Sequence, residues 1–97
     1  MPPKLFTREA DVKAEIKKLL TKRGWFYWMP AANGYGITGV ADFLALRKGE
    51  FIAIEAKFGS NKPTVMQEKF LASVKAHGGR AMVVSEKNLA TLDHDLM

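Results

Sequence analysis

The stretch GVADFLALRKGEFIAIEAK, Gly39 to Lys57, reads as two apolar strands joined by a turn at Lys48-Gly49. Residues 40–47 and 50–58 carry apolar side chains on both alternating sets, the pattern of strands covered on two faces. If Lys48-Gly49 is a two-residue turn, facing residues have numbers that sum to 97. Arg47 then meets Glu50, Leu46 meets Phe51, and Asp42 meets Glu55. Directly opposed side chains have Cβ atoms about 4.5–5.5 Å apart. Alternation puts Lys57 on the face of Glu55, along with Leu44, Leu46, Phe51 and Ala53. The other face carries Phe43, Ala45, Ile52, Ile54 and Ala56. A slip of one residue would send the two carboxylates to opposite faces, so the register decides whether they meet.

Charged residues rarely sit among residues destined for burial unless something offsets their desolvation. Two opposed carboxylates repel, and either a proton or a cation relieves the repulsion. Magnesium prefers oxygen ligands in an octahedron and usually keeps several waters. Asp42, Glu55 and the backbone carbonyl of Ala56 would supply protein oxygens to it. Such an ion lowers the pKa of a bound water and polarises a phosphate. Lys57 would position that water or stabilise charge developing on the phosphate. The expectation is metal-dependent phosphodiester cleavage. The competing reading is a cross-strand carboxylate pair neutralised by Lys57 alone.

Outward from this hairpin, TREADVKAEIKKLLTKRG reads as a helix. Thr7 is placed to cap it, Glu9 and Asp11 fall in the first turn, and Gly24 ends it. Val12, Ile16, Leu19 and Leu20 recur at helical spacing. Residues 25–29 form a short aromatic strand ending at Pro30, with Trp25, Phe26, Tyr27 and Trp28 read as core rather than as a base-stacking platform. Residues 31–39, AANGYGITG, read as a loop. A second helix opens at Pro63 or Thr64 and runs to about His77, where Gly78-Gly79 stops it. Residues 81–85 form a last strand, followed by a short helix and a fraying tail. Helix, three strands, helix and strand make an α/β class.

The 97 residues fit one domain, 1–97, with a real core but little surplus stability. The hydrophobic share of 47% suits a globular chain rather than a disordered one. A formal net charge of +5 favours an anionic partner such as nucleic acid. The absence of cysteine excludes disulfides and thiolate metal sites. No apolar run reaches the roughly 18 residues of a membrane span. MPPKLFTREA has no signal-peptide core, so a mature cytoplasmic protein without a membrane partner is expected.

Gly39-Val40-Ala41-Asp42 and Glu55-Ala56-Lys57 resemble the two halves of the PD-(D/E)XK nuclease signature. Ala41 stands where a proline often precedes the aspartate. Arg8-Glu9-Ala10-Asp11-Val12, a helix-ending glycine, GVADF, FIAIEAK, KPTVMQEKF and a closing HGG are similar to the VRR-NUC group of small nucleases. The resemblance spans about residue 8 to residue 85. It implies a restriction-endonuclease-like fold, an αβββαβ core with a mixed sheet flanked by helices. It also implies dependence on Mg2+ or Mn2+ and hydrolysis of DNA. Stand-alone members are similar to Holliday junction resolvases and tend to act as homodimers on branched DNA.

The family places a glutamate on the first helix near the metal, for which the candidates are Glu9 and Glu15. At about 100° per residue, Glu9 lies inside the apolar arc of the helix and Glu15 at its edge, so Glu9 is preferred as metal or water ligand. The resemblance also gives Gln67 a role in orienting the site. A chain of this size has no separate recognition domain, which again points to a two-fold dimer. Two alternatives stay open: a flap or nicking nuclease without junction preference, and a non-catalytic DNA-binding module on the same scaffold.

The remaining signals are weaker. Lys13, Lys17, Lys18, Lys22 and Arg23 give the first helix a basic side, read as solvated rather than DNA-bound. Amides of the 31–39 loop suit a phosphate, and Tyr35 an unpaired base, as readily as a plain connection. Lys62 is placed for a phosphate contact. His77 and His94 do not make a zinc site.

Overall fold

A two-residue turn organises the sheet. Lys48 and Gly49 both have positive φ, 50° and 82°, the combination a type I′ hairpin requires. The computed structural model describes residues 5–31 and 39–97. Its elements are α1 (Glu9–Lys22), β1 (Phe26–Trp28), β2 (Phe43–Arg47), β3 (Glu50–Ala56), α2 (Val65–Ala76), β4 (Arg80–Val84) and α3 (Leu89–Asp95). The β2–β3 register is the expected one, from Arg47↔Glu50 at the turn to Phe43↔Ile54. β1 joins β2 antiparallel, with Phe26↔Leu46 and Trp28↔Leu44. β4 joins β3 in parallel, with Glu55↔Val83 and Ala56↔Val84. The result is a four-stranded mixed sheet in the order β1-β2-β3-β4, an α/β fold.

Both hairpin strands are shorter than their apolar runs. Beyond the Phe43–Ile54 pair, the Ala56 amide donates to a side-chain oxygen, Oδ2 of Asp42 at 2.9 Å. The carboxylate takes the place of a strand carbonyl, and the ladder ends there. On its other edge β3 is prolonged, as the Lys57 amide donates to the Val84 carbonyl at 2.9 Å.

One sheet face packs against α1 and α3. Val12, Ile16 and Leu20 from α1 and Leu92 from α3 meet Phe43, Ala45, Ile52, Ile54 and Ala56, all fully buried. The opposite face meets α2, which lies over β3 and β4 with Leu71 against Ala53. β3 is therefore buried on both faces from Ile52 to Ala56. Among the described residues, no helix lies over the α2-side face of β1 and the turn-proximal half of β2. This overturns the reading of the aromatic strand as core throughout. Trp25 is buried and Tyr27 packs on the core, whereas Phe26 is 68% and Trp28 40% exposed.

Two further details depart from expectation, and a third adds to it. Thr7 does not cap α1 with its own oxygen. Asp11 reaches back instead, accepting from the Thr7 amide at 2.9 Å, the Thr7 hydroxyl at 3.1 Å and the Arg8 amide at 3.2 Å. The Thr7 amide bond leads the interactions that hold the Asp11 carboxyl below its ordinary pKa. The end of the chain does not fray. Leu92 and Leu96 are fully buried, and the Leu96 carbonyl accepts from Trp25 Nε1 at 3.0 Å. Finally, Gly39, at φ 76°, leaves room for the backbone of Met66 on α2, which a Cβ at Gly39 would meet at 2.6 Å. Among the described residues, no helix is long and apolar enough to cross a membrane.

Candidate functional site

Asp42 sits directly before β2 and Glu55 one residue from the end of β3. The hairpin register continues to them by position, so both come to the end of the sheet away from the turn. Their environments differ. Asp42 is partly exposed, and each of its oxygens has a donor. Oδ2 accepts from the Ala56 amide, and Oδ1 lies 3.5 Å from Lys13 Nζ. Glu55 is 0% exposed. Neither of its carboxylate oxygens has a hydrogen-bond partner among the described residues. It is the one buried charged residue among the described residues.

A buried carboxylate without donors resists ionisation. Desolvation first, and then the adjacent Asp42 carboxylate, push the Glu55 pKa from 4.5 up to about 8, against the opposing pull of Lys57. Burial and the neighbouring Asp42 thus favour the protonated form of Glu55. A divalent cation between the two groups would relieve the same strain by removing that proton. The orphaned oxygens of Glu55 and their nearness to Asp42 fit such an ion. Among the described residues, however, no three histidine, aspartate or glutamate side chains gather as a metal-holding group. The two carboxylates would need waters or phosphate oxygens to complete an octahedron.

The other expected residues are placed as follows. Lys57 lies next to the pair in charge terms and forms no ion pair within 4 Å among the described residues. Ala56 donates its N–H to Asp42, a bond separate from the metal contact expected of its carbonyl. Glu9 is the first residue of α1. It is linked to Asp42 through Lys13, whose Nζ lies 3.5 Å from both. Glu15 faces elsewhere, lining a cleft with Phe6, Leu19 and Leu89 on the α3 side. Gln67 is not free to orient the site through its oxygen. Its Oε1 accepts from the Thr64 amide at 2.9 Å while its own amide donates to Thr64 Oγ1 at 3.2 Å, a capping box at the start of α2. The phosphate and base contacts expected of the 31–39 loop, Tyr35 included, fall on residues 32–38, outside the described residues. Lys62 is exposed in the segment before α2.

Lys13 is the residue that sequence reasoning assigns to the wrong side. Its pattern groups it with the solvated lysines of α1, yet it points at the site. Partial burial disfavours its charge, but Asp42 and then Glu9 outweigh that and hold its pKa above the ordinary lysine value. The signal is present in the helix wheel. Lys13 is four residues after Glu9, about 40° around the helix, so a coreward Glu9 carries Lys13 with it.

No protein-family model matches this chain, and no curated protein matches it.

Proposed function

We propose that this protein is a metal-dependent DNA endonuclease of restriction-endonuclease-like architecture. One observation carries the reading: Glu55 is wholly buried beside a second carboxylate with both oxygens unpartnered. Keeping such a group without a ligand costs several kcal/mol. Asp42 and Glu55 would hold Mg2+, or Mn2+ in its place. When bound, the ion would acidify a water and neutralise charge on the scissile phosphate. Lys57, next after β3 and beside Glu55, would orient the attacking water or donate to a phosphate oxygen. Lys13 would hold Asp42 in position and balance its charge before an ion arrives. Glu9 would act through Lys13 rather than as a direct ligand.

The net charge of +5 supports a polyanionic substrate. Branched DNA and a homodimeric assembly rest on the resemblance of GVADF and FIAIEAK to VRR-NUC nucleases. A second reading has its own support. Lys13 already neutralises Asp42, and a third carboxylate ligand is lacking among the described residues. Both features suit a DNA-binding module that has no catalysis.

Cleavage of junction, flap and linear DNA in Mg2+ and in Mn2+ separates these readings. Wild type is expected to cut, with junctions preferred, while Asp42→Ala and Lys57→Ala fold, bind DNA and lose at least about a hundredfold in rate. Tight DNA binding without cleavage of any form, in either metal, would leave the binding module. A calorimetric Mg2+ titration that shows no binding to wild type would remove the metal.

A further inference from the structure

The α2-side face of the sheet is only half covered. α2 lies over β3 and β4, and beside it Phe26, Trp28 and Leu46 are 68%, 40% and 41% exposed. The β1–β2 register pairs Phe26 with Leu46 and Trp28 with Leu44, so these side chains share one face. It is also the face of Ala53, which pairs with Leu44, and hence of Glu55 two residues on. The rings of Phe26 and Trp28 lie 5.6 Å apart, centre to centre, tilted by 39°.

We propose that Phe26 and Trp28 form a stacking platform for unpaired nucleobases, next to the carboxylate pair; this rests on the nuclease reading for its substrate. Exposed aromatic rings on a sheet face bind bases without sequence preference, because every base offers a π-face. Position favours a strand that continues into the site. Trp28 lies at the level of Leu44, and chain direction carries β1 from Phe26 toward the Asp42 end. Two strand spacings and two residues of rise separate Trp28 from Glu55, roughly 12 Å. That is on the order of three stacked nucleotides at about 3.4 Å each.

Charge suits a nucleic acid, since a chain of net charge +5 attracts a polyanion. Lys57, on the same face by alternation, is without an ion-pair partner among the described residues. The face thus presents aromatic rings with a cation toward the site, a combination that single-stranded nucleic acid recognises. Duplex DNA, with its bases stacked inside, offers these rings nothing.

The test uses fluorescein-labelled oligothymidylate and a duplex of equal length in EDTA, at low salt, so that no cleavage occurs. Wild type is expected to bind the single strand more tightly than the duplex, with quenching of Trp28 emission. Phe26→Ala and Trp28→Ala should each weaken oligothymidylate binding about fivefold or more and leave duplex affinity unchanged. Trp28→Phe should recover most of the loss. Oligothymidylate affinity unchanged in both alanine variants overturns the platform, as does no binding by wild type. So does a wild-type dimer in sedimentation that the alanine variants split into monomers without altering oligonucleotide affinity, an outcome that gives the face to a second copy. Cleavage is scored separately. If wild type cuts DNA but the variants bind normally, the platform alone fails. If wild type never cuts but both variants lose binding, the platform stands and the nuclease reading fails.

Discussion

Arg47 and Glu55 are charged residues on the two strands of one hairpin, at opposite ends of the sheet, and the fold treats them in opposite ways. The Arg47 guanidinium donates to the carbonyls of Arg23 and Leu96, both at 2.8 Å, and of Met97 at 3.1 Å, and lies 4.5 Å above the Trp25 ring. Arg80 completes that corner, donating to the Asp95 carbonyl at 2.7 Å. Glu55 is more deeply buried and has no hydrogen-bond donor among the described residues. A single small domain can therefore surround a charge with partners, and at Glu55 it does not. Arg47 is the structural charge that joins α1, β2 and the end of the chain. Glu55 is the charge held ready for something else.

The most direct way to break the comparison is to remove the satisfied partner. Arg47→Met keeps most of the stem but leaves carbonyls near the buried Trp25 without their donor. The loss is expected to be about 3–4 kcal/mol, lowering Tm by more than about 10 °C for a domain of this size. A urea melt with unchanged slope and a midpoint close to wild type would show that Arg47 is not a structural charge.

The opposite sign is expected at the other end. Glu55 has its pKa raised from 4.5 to about 8, so between those values the folded protein holds a proton that the unfolded chain has lost. Stability contributed by this group is then greatest below about pH 4.5, falls as pH rises, and is fully lost above about pH 8. Glu55→Gln cannot titrate, and its amide can donate to Asp42. The variant should be clearly more stable than wild type at pH 8.5 and nearly equal to it at pH 5. Saturating Mg2+ should raise wild-type Tm more at pH 8.5 than at pH 5.5 and leave Glu55→Gln almost unmoved. A wild-type Tm that is flat across this range, or Mg2+ stabilisation as large in Glu55→Gln as in wild type, would place Glu55 with Arg47 as an ordinary internal charge.

The hairpin and its register are legible in the sequence because a two-residue turn and an alternation of period two leave little freedom. The convergence of Asp42 and Glu55 follows from that alone. Three things are not legible, for separate physical reasons. The ends of β2 and β3 depend on a side chain, Asp42, replacing a backbone acceptor, which apolar patterning does not register. The split of the aromatic strand into buried Trp25 and exposed Phe26 and Trp28 depends on where α2 lies, and no local signal in residues 25–29 carries that. Gln67 takes its site role from the resemblance alone, whereas its oxygen is held by a capping box with Thr64 three residues before it. Lys13 is a different case, legible but easily misassigned, as its spacing from Glu9 already turns it toward the core.

A smaller effect sharpens the contrast by asking whether the Asp42 end of the sheet is held in place from outside. Gly39 and Gly24 have the same φ, 76°, but different surroundings. A Cβ at Gly24 would meet nothing within 4 Å, whereas one at Gly39 would lie 2.6 Å from the Met66 backbone carbon. Gly24→Ala is expected to cost about 1 kcal/mol, the left-handed penalty alone. Gly39→Ala adds a clash that α2 must yield to, for a total of about 2 kcal/mol or more. Because Gly39 leads through Val40 and Ala41 directly to Asp42, its variant should also lose cleavage rate in proportion greater than its loss of stability, while Gly24→Ala cuts at the wild-type rate. Paired melts and cleavage rates for the two variants measure this. Equal melting losses with equal, unimpaired rates would mean that the approach of Met66 does nothing to position Asp42, and that the carboxylate is set by the Ala56 amide and Lys13 alone.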